Sequence, residues 1–313
     1  MNIKNCKILL TGATGFIGKS LCQALIEKGA TLVVLTRDEA AARKILNKSE
    51  IRFIKKLSDL DNRSVIDGVI NLAGETISQR WTEGSKKLIY DSRVKLTADL
   101  ANFIISLKAP PRFFISGSGI GFYGCSGQQA FSDTTPSASD ADKMFTHHLC
   151  YQWEEATEIV KKAGIRTVLL RTGVVFEKDG GIIKKMFPAF RLGLGGRIGD
   201  GRQWLSWIHR KDLIGLIMHS IEDISISGPL NATAPAAVTN KEFTIAFARA
   251  LKRPAFFPVP TFVLEAAFGQ MAREIMLSGQ KVIPEKAIHT GYKFLYPTIN
   301  KAFDDIFLSL KTL

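Results

Sequence analysis

Gly12, Gly15 and Gly18 stand three residues apart, directly after the apolar run at 8–10, in the order Thr-Gly-x-x-Gly-x-x-Gly. Between a strand and a helix, glycines at that spacing serve one chemistry well. They bring bare backbone N–H groups against a diphosphate, and the positive end of the helix then holds the charge. Gly12 suits the tight turn, Gly15 the close approach of a pyrophosphate, and Gly18 the close packing of helix on strand. A merely flexible turn is the plain alternative, but it leaves the flanking strand and helix unexplained.

A second site for chemistry follows the next apolar run. That run ends at Thr36 and Arg37, with no acid before Asp38. A carboxylate at this point would bind the ribose 2′-hydroxyl of NAD, whereas a cation accommodates the 2′-phosphate of NADP. Arg37 can grip a phosphate with its planar fork, Thr36 can donate a hydrogen bond, and Arg43 and Lys44 add charge from the following helix. The expected cofactor is therefore NADP(H). The competing reading of Arg37 is a solvated strand end.

The elements that must position these residues are visible as an alternation. Residues 6–12 read as a buried strand. Residues 19–30 read as a helix, with Leu21, Leu25 and Ile26 on one face and Gly29 as its stop. Residues 31–37 suit a parallel strand covered on both sides. Two more strands are expected at 67–74 and 112–119, separated by a helical stretch from about Thr82 to Leu107. A helix at 144–164 and a strand at 165–176 follow. Such alternation predicts an α/β fold, a Rossmann-type doubly wound parallel sheet with right-handed crossovers.

After about Phe176 the texture changes. Residues 191–204 are glycine-rich and basic, 207–221 read as strand then helix, and 240–251 as an amphipathic helix. The tail is too short for a core of its own. The expected division is 1–176 for the cofactor-binding part, with 205–235 returning to it, and 177–313 for a smaller C-terminal substrate lobe. Ligand would lie between lobe and strand ends.

Composition narrows the function. The 313 residues are 46% hydrophobic, which fits a folded chain with a sizeable core. No apolar run reaches the roughly 18 residues a spanning helix needs, and the N-terminus lacks a secretory pattern, so a cytoplasmic protein without a membrane partner is expected. Cys6, Cys22, Cys125 and Cys150 are scattered without metal-ligand spacing, so neither a metal nor a disulfide framework is expected. The net charge of +13, from 42 basic and 29 acidic residues, is spread in pairs such as Lys55-Lys56 and Lys184-Lys185. That pattern suits a field drawing in anionic cofactors and substrates rather than nucleic-acid binding. The partner expected is a small molecule; self-association stays open.

The segments TGATGFIG at 11–18, NLAG at 71–74, SGSGIGFYG at 116–124 and LLRTGVVF at 169–176 resemble the extended short-chain dehydrogenase/reductases, a superfamily that includes sugar-nucleotide epimerases and dehydratases. More narrowly, INLAGETI, WEE, GGIIKKMFPAFRLGLGG and GQKVIP resemble its atypical YfcH-type branch, whose members are labelled epimerase family protein or, in some bacteria, cell-division inhibitor. The resemblance runs nearly end to end. It implies a phosphate loop of Gly12, Thr14, Gly15, Phe16, Ile17 and Gly18, and 2′-phosphate contacts at Thr36 and Arg37. It also implies a cofactor border at Leu72, Ala73, Gly74 and Ser116. Arg93, where many extended members have Asn, is implied to approach the cofactor. Ser118 matches the superfamily's catalytic serine, though a small residue in a tight Ser-Gly-Ser turn fits as well.

The departures from the family pattern concern catalysis. The superfamily's Tyr-x-x-x-Lys pair is missing from the helix at 144–164, where Thr146 and Cys150 take those positions. Gln152, where relatives carry Lys or Arg, can hydrogen-bond a ribose but brings no charge. His147 and His148 are candidate acid–bases, each as readily packed or solvated, and neighbours on a helix point about 100° apart so at most one faces a nicotinamide. Tyr123 is a further candidate proton donor, and Glu75 and Asp133 weaker ones. His209 and Asp212 read as structural ties. Arg202 either pairs a substrate phosphate or belongs to a scaffold loop. Trp81, Trp153, Trp204 and Trp207 read as core or interface anchors. Two functions fit: an NADP-dependent oxidoreductase or epimerase acting on a sugar-type alcohol, and a dinucleotide-binding regulator that has lost the chemistry.

Overall fold

The computed structural model describes residues 1–125 and 127–308; residues 309–313 of the expected lobe lie outside the described residues. The strands are β1 (Lys7–Thr11), β2 (Thr31–Leu35), β3 (Ile51–Ile54), β4 (Gly68–Asn71), β5 (Phe113–Gly119), β6 (Ala130–Phe131) and β7 (Arg166–Thr172). They continue as β8 (Val174–Phe176), β9 (Trp204–Leu205), β10 (Trp207–His209), β11 (Gly228–Ala232), β12 (Val238–Thr239) and β13 (Lys281–Val282). The helices are α1 (Gly18–Glu27), α2 (Glu39–Leu46), α3 (Glu83–Tyr90), α4 (Leu96–Ser106), α5 (Phe145–Glu155) and α6 (Glu158–Lys162). After them come α7 (Gly181–Arg191), α8 (Arg210–Glu222), α9 (Asn240–Leu251), α10 (Thr261–Phe268), α11 (Glu285–His289) and α12 (Ile299–Ile306).

Seven strands make one sheet in the order β11-β7-β5-β4-β1-β2-β3, and every pairing is parallel. Ile8, Leu9 and Leu10 are fully buried, as a strand covered on both faces requires. One face packs under α1 and α8 through Leu21, Leu25, Leu213 and Ile217. The other packs under α4 and α6 through Leu100, Ile104 and Val160. The chain runs from β1 outward to β3 and then returns to place β4 on the other side of β1. That reversal opens a crevice at the carboxyl ends of β1 and β4, where doubly wound sheets bind ligands.

A second cluster of aromatic rings lies apart from the sheet. Phe176, Phe190, Trp207, Phe243, Phe247, Phe303 and Phe307 pack together, with Phe176 and Trp207 stacked at 5.2 Å and Phe247 and Phe303 at 5.2 Å. Its rings come from β8, β10, α7, α9, α12 and the residue that follows α12, so distant segments share one small core.

The elements differ from the sequence expectations in four places. The strand expected at 165–176 stops at Thr172, and after Gly173 the chain leaves the main sheet so that β8 pairs with β10 instead. The helix expected at 144–164 breaks at Ala156–Thr157, where the Thr157 hydroxyl donates to the Glu154 carbonyl at 2.7 Å and competes with the helical ladder. The stretch at 82–107 contains a π-helical turn, Asp91–Lys95. The edge strand β3, four residues long and directly after the polar stretch 47–50, was not anticipated.

Candidate functional site

The turn between β1 and α1 is built by close approach. Gly12 has φ +72°, and a Cβ placed there would stand 2.5 Å from the Leu72 carbonyl oxygen. A Cβ on Gly18 would stand 2.1 Å from the Gly12 carbonyl oxygen. Only glycine fits at either point. Gly15 is exposed, and its N–H donates to Gly12 O at 3.0 Å, which closes the turn. No side chain caps α1 and its first turn holds no acid. The amides at the start of α1 therefore face outward without a built-in anion, and the helix dipole favours one there. The beginning of the chain's second half covers this loop: Gly180 packs on the Phe16 ring, and the Arg210 guanidinium lies 5.0 Å above it. Arg210 is itself held by Glu177 at 3.2 Å and Asp179 at 2.8 Å.

Beneath the loop a buried chain of hydrogen bonds fixes the strand ends. Thr11 Oγ1 donates to Asn71 Oδ1 at 2.6 Å and accepts the Ala73 N–H at 3.2 Å. Asn71 Nδ2 donates to Thr97 Oγ1 at 2.7 Å, and Trp153 Nε1 donates to the same oxygen at 2.9 Å. Leu72, Ala73 and Gly74 are thereby presented at the edge of the crevice. Ser116, by contrast, is fully buried on β5, its hydroxyl 3.3 Å from the Gly117 carbonyl, so it lies under the crevice rather than in it.

At the end of β2, Arg37 is exposed and forms no hydrogen bond or ion pair with a described residue. Thr36 Oγ1 donates to the Asp38 carbonyl at 3.2 Å. Asp38, the first acid after the strand, spends its carboxylate as the cap of α2, accepting the Ala41 N–H at 2.9 Å. The corner thus offers a free guanidinium and no free acid. Arg43, expected to add charge here, is instead paired with Glu39 at 2.8 Å and stacked on Phe53 at 4.9 Å.

The far wall of the crevice gathers residues from three elements. The π-helical turn swings Arg93 under Gly74, where a Cβ would be 2.9 Å from the guanidinium carbon, and over the Trp153 ring at 5.4 Å. Arg93 donates to the Ile89 carbonyl at 3.3 Å and has no ion-pair partner among the described residues. Burial pulls its pKa down, while Cys150 and Glu75 push it back up. Thr146 and Cys150, one turn apart on α5, face Gly121 and Gly119. Glu274, from a second π-helical turn (Ala272–Met276), reaches the start of α5. Its carboxylate accepts the Phe145 N–H at 3.1 Å, the Thr146 N–H at 2.9 Å and the Thr146 hydroxyl at 3.1 Å, and Gln270 donates to it at 2.7 Å. Sequence reading missed this contact because 128 residues separate its ends.

Residues 8–231 match the family model described as NAD dependent epimerase/dehydratase family, and residues 259–306 match that of DUF1731, a domain of unknown function. The chain belongs to the NAD dependent epimerase/dehydratase family. It is 36% identical over 310 residues to the epimerase family protein YfhF of Bacillus subtilis, covering 98% of this chain and 99% of that one. The crystal structure of the human epimerase family protein SDR39U1 with NADPH superposes with a TM-score of 0.85 at 33% identity, covering 96% of this chain and 99% of that one. A UDP-glucuronic acid 4-epimerase from Bacillus cereus in complex with NAD shares the fold, at a TM-score of 0.73 and 18% identity over 98% of this chain and 97% of that one.

For an epimerase-family chain, the side chains proposed from sequence as catalytic stand in unexpected places. The Ser118 hydroxyl is turned inward and donates to Glu154 Oε1 at 2.7 Å. Glu154 is in turn clamped by Arg171, Nε to Oε1 at 2.8 Å and Nη2 to Oε2 at 2.8 Å, in a pair almost wholly buried. Tyr123 is fully enclosed. Its hydroxyl lies 2.7 Å from Asn231 Oδ1 and 2.9 Å from the Ser132 carbonyl, and accepts from Arg171 Nη1 at 2.9 Å. Burial pushes its phenol pKa up. This tyrosine ties the turn after β5 to Asn231 of β11, with its hydroxyl enclosed among these partners. His147 is packed against Phe122, with Nδ1 on the Phe122 carbonyl and Nε2 3.2 Å from Asp142. His148 is exposed. His147 is turned to the Phe122 carbonyl and Asp142 rather than to Gly119 and Gly121, which Cys150 and Thr146 face.

The other candidates have their own partners and exposures. Asp133 is buried, accepting from Asn231 N–H and from Lys286 N–H at 2.8 Å, and so joins β11 to α11. Asp212 accepts the Leu295 and Tyr296 N–H groups at 2.7 and 2.9 Å. His209 caps α8, its Nδ1 accepting the Lys211 N–H at 3.1 Å. Arg202 is exposed and approaches Asp200 at 3.7 Å. Gln152 is half-buried on α5, and Glu75 lies beside Arg93 with its N–H on the Ser92 hydroxyl at 2.9 Å. Cys150, at the lysine position, has its thiol pushed up to about 12 by burial, so it neither carries charge nor reacts readily near neutral pH.

Proposed function

We propose that this chain is an NADP(H)-dependent oxidoreductase or epimerase acting on an alcohol or nucleotide-sugar-like substrate. The observation that carries the reading is the corner at the end of β2: an unpartnered Arg37 beside an uncapped glycine turn, with Asp38 consumed by a helix cap. Gly12, Thr14, Gly15, Phe16, Ile17 and Gly18 would hold the diphosphate, Thr36 and Arg37 the 2′-phosphate, and Leu72, Ala73 and Gly74 the adenosine side. The NADPH bound to human SDR39U1, at 33% identity over nearly the whole chain, supports the same choice. When bound, the cofactor supplies or accepts a hydride.

Arg93 takes over the charge that the family's lysine would bring. Cys150 is short, and the guanidinium from the neighbouring π-helical turn fills the space above Trp153. A cation placed there attracts the ribose oxygens or an anionic substrate group. Thr146 and Glu274 are the groups left at the tyrosine position for moving a proton.

A second reading has an observation in its favour. Thr146 and Cys150 leave the family's acid–base pair without a titrating side chain, which suits a dinucleotide-binding regulator that senses cofactor without turnover. Both readings are tested by supplying NADP⁺ or NADPH with a panel of alcohols, ketones and nucleotide sugars and following the reduced nicotinamide absorbance. Turnover with any of them supports the enzyme. Tight NADPH binding without turnover across the panel supports the regulator.

A further inference from the structure

Most of the chain's large apolar side chains are covered, but one face of the C-terminal half is not. Helix α10 buries Leu264 and turns Phe262, Val263, Ala266 and Ala267 to solvent, with Phe262 72% exposed. The segment before it raises Phe256 and Phe257, 82% and 58% exposed, and the loop after α7 adds Leu192 and Leu194 at 73% and 58%. These groups share one surface because their backbones run side by side. The Phe257 N–H donates to the Gly195 carbonyl at 3.3 Å, the Val259 N–H to the Arg197 carbonyl at 2.8 Å, and the Gly199 N–H to the Val259 carbonyl at 3.0 Å. Arg253 Nε donates to the Arg191 carbonyl at 3.1 Å. Single exposed apolar residues are ordinary, whereas a continuous group of this kind marks a contact surface.

The surrounding charge is mostly positive, the acids nearby being Asp200 and, on α10, Glu265, which pairs with Arg273 at 3.7 Å. Arg191, Arg197, Arg249, Lys252 and Arg253 are exposed and make no ion pair with a described residue. Asp200 is the one acid in 191–202, and 249–263 holds none. Along the chain these cations look scattered; the fold brings the two segments together.

We propose that this face docks the protein onto an anionic lipid bilayer, with Phe256, Phe257 and Phe262 entering between headgroups and the rim of Arg and Lys pairing with lipid phosphates. Aromatic and aliphatic side chains ringed by cations are the chemistry of interfacial attachment. The exposed rings stand on a loop and a short helix rather than lining a groove, so a fluid surface receives them without shaped pockets. A symmetric contact between two copies would set the same cations against each other. Among the described residues no helix is long and apolar enough to cross a membrane, so the attachment is to one surface. The proposal departs from the sequence expectation of no membrane partner and stands independently of the cofactor reading.

The test is flotation of the full chain with vesicles of phosphatidylcholine alone or mixed with phosphatidylglycerol. The expected result is binding to the mixed vesicles alone, weakening as salt rises. The double substitution Phe256→Ser with Phe262→Ser should reduce vesicle affinity about tenfold or more at unchanged melting temperature. Should that variant fail to fold, Arg191→Gln with Lys252→Gln gives the second arm, with a comparable loss expected on the mixed vesicles. Absence of binding to the mixed vesicles overturns the proposal, and so does equal binding by folded variants. A dimer in sedimentation that Phe256→Ser dissolves would assign the face to self-association instead. Binding to polyglutamate as tight as to vesicles, and insensitive to the Phe substitutions, would reduce it to charge alone.

Discussion

Arg171 shows how far one side chain can redirect a reading. Its guanidinium clamps Glu154 in bidentate fashion, holds the Tyr123 hydroxyl and lies 3.5 Å from the Phe122 ring centroid. Ser118 and Tyr123 look reactive in sequence because their types are reactive, but buried carboxylate and guanidinium groups need every available partner. Removing one member strands the other. Arg171→Met is expected to cost about 3–5 kcal/mol, read as a drop in the urea midpoint; a loss below 1 kcal/mol would mean that Glu154 finds another partner. His209 carries a second prediction. Burial holds its imidazole pKa down to about 4, so it is neutral in the fold, while in the unfolded chain it titrates near 6.5. Below about pH 6.5 the unfolded state takes up the proton first, so stability falls with pH and the loss is complete near pH 4. It amounts to about 3 kcal/mol. His209→Asn retains an acceptor to cap α8 and removes the titration, so its stability profile should lie flatter across that window than that of the unaltered protein.

At the scale of elements, helix α5 is fastened at its start by a distant acid. Four donors converge on the Glu274 carboxylate, three of them from Phe145 and Thr146. Glu274→Ala leaves the first amides of the helix open and is expected to lower stability by about 1–2 kcal/mol, while Glu274→Gln, which keeps one acceptor oxygen, should recover part of it. Differential scanning calorimetry reads both; identical melting temperatures for all three proteins would contradict the capping role. The helices and central strands themselves were legible because periodicity is local. Leu21, Leu25 and Gly29 mark α1 before any contact is known. The break after Gly173, the π-helical turn carrying Arg93 and the reach of Glu274 depend on packing between segments far apart in the chain, and no window of sequence contains them. The partners of His147 were hidden for the same reason: the helix face was readable, but what lies against it was not.

Over the whole molecule, the glycine turn, the switch point between β1 and β4 and the corner at Arg37 agree with one another and with membership of the NAD dependent epimerase/dehydratase family. The agreement arises because the turn and the corner are each written in consecutive residues, Gly12 to Gly18 and then Thr36 to Arg37. The far wall of the crevice is assembled from α5, two π-helical turns and the segment matching DUF1731, and it surfaces only in three dimensions. Charge behaves likewise, since Arg191, Arg197, Arg249, Lys252 and Arg253 look scattered along the chain but belong to two segments that the fold sets side by side. The central claim is that backbone amides at α1 hold a diphosphate while Arg37 selects the phosphorylated ribose. Isothermal titration of the unaltered protein and of Arg37→Ala with NADPH and with NADH measures it directly. The account predicts that Arg37→Ala loses about 2 kcal/mol of NADPH binding, roughly thirtyfold, with NADH changed less than about twofold. Equal losses for both cofactors, or no heat with either in the unaltered protein, would contradict it.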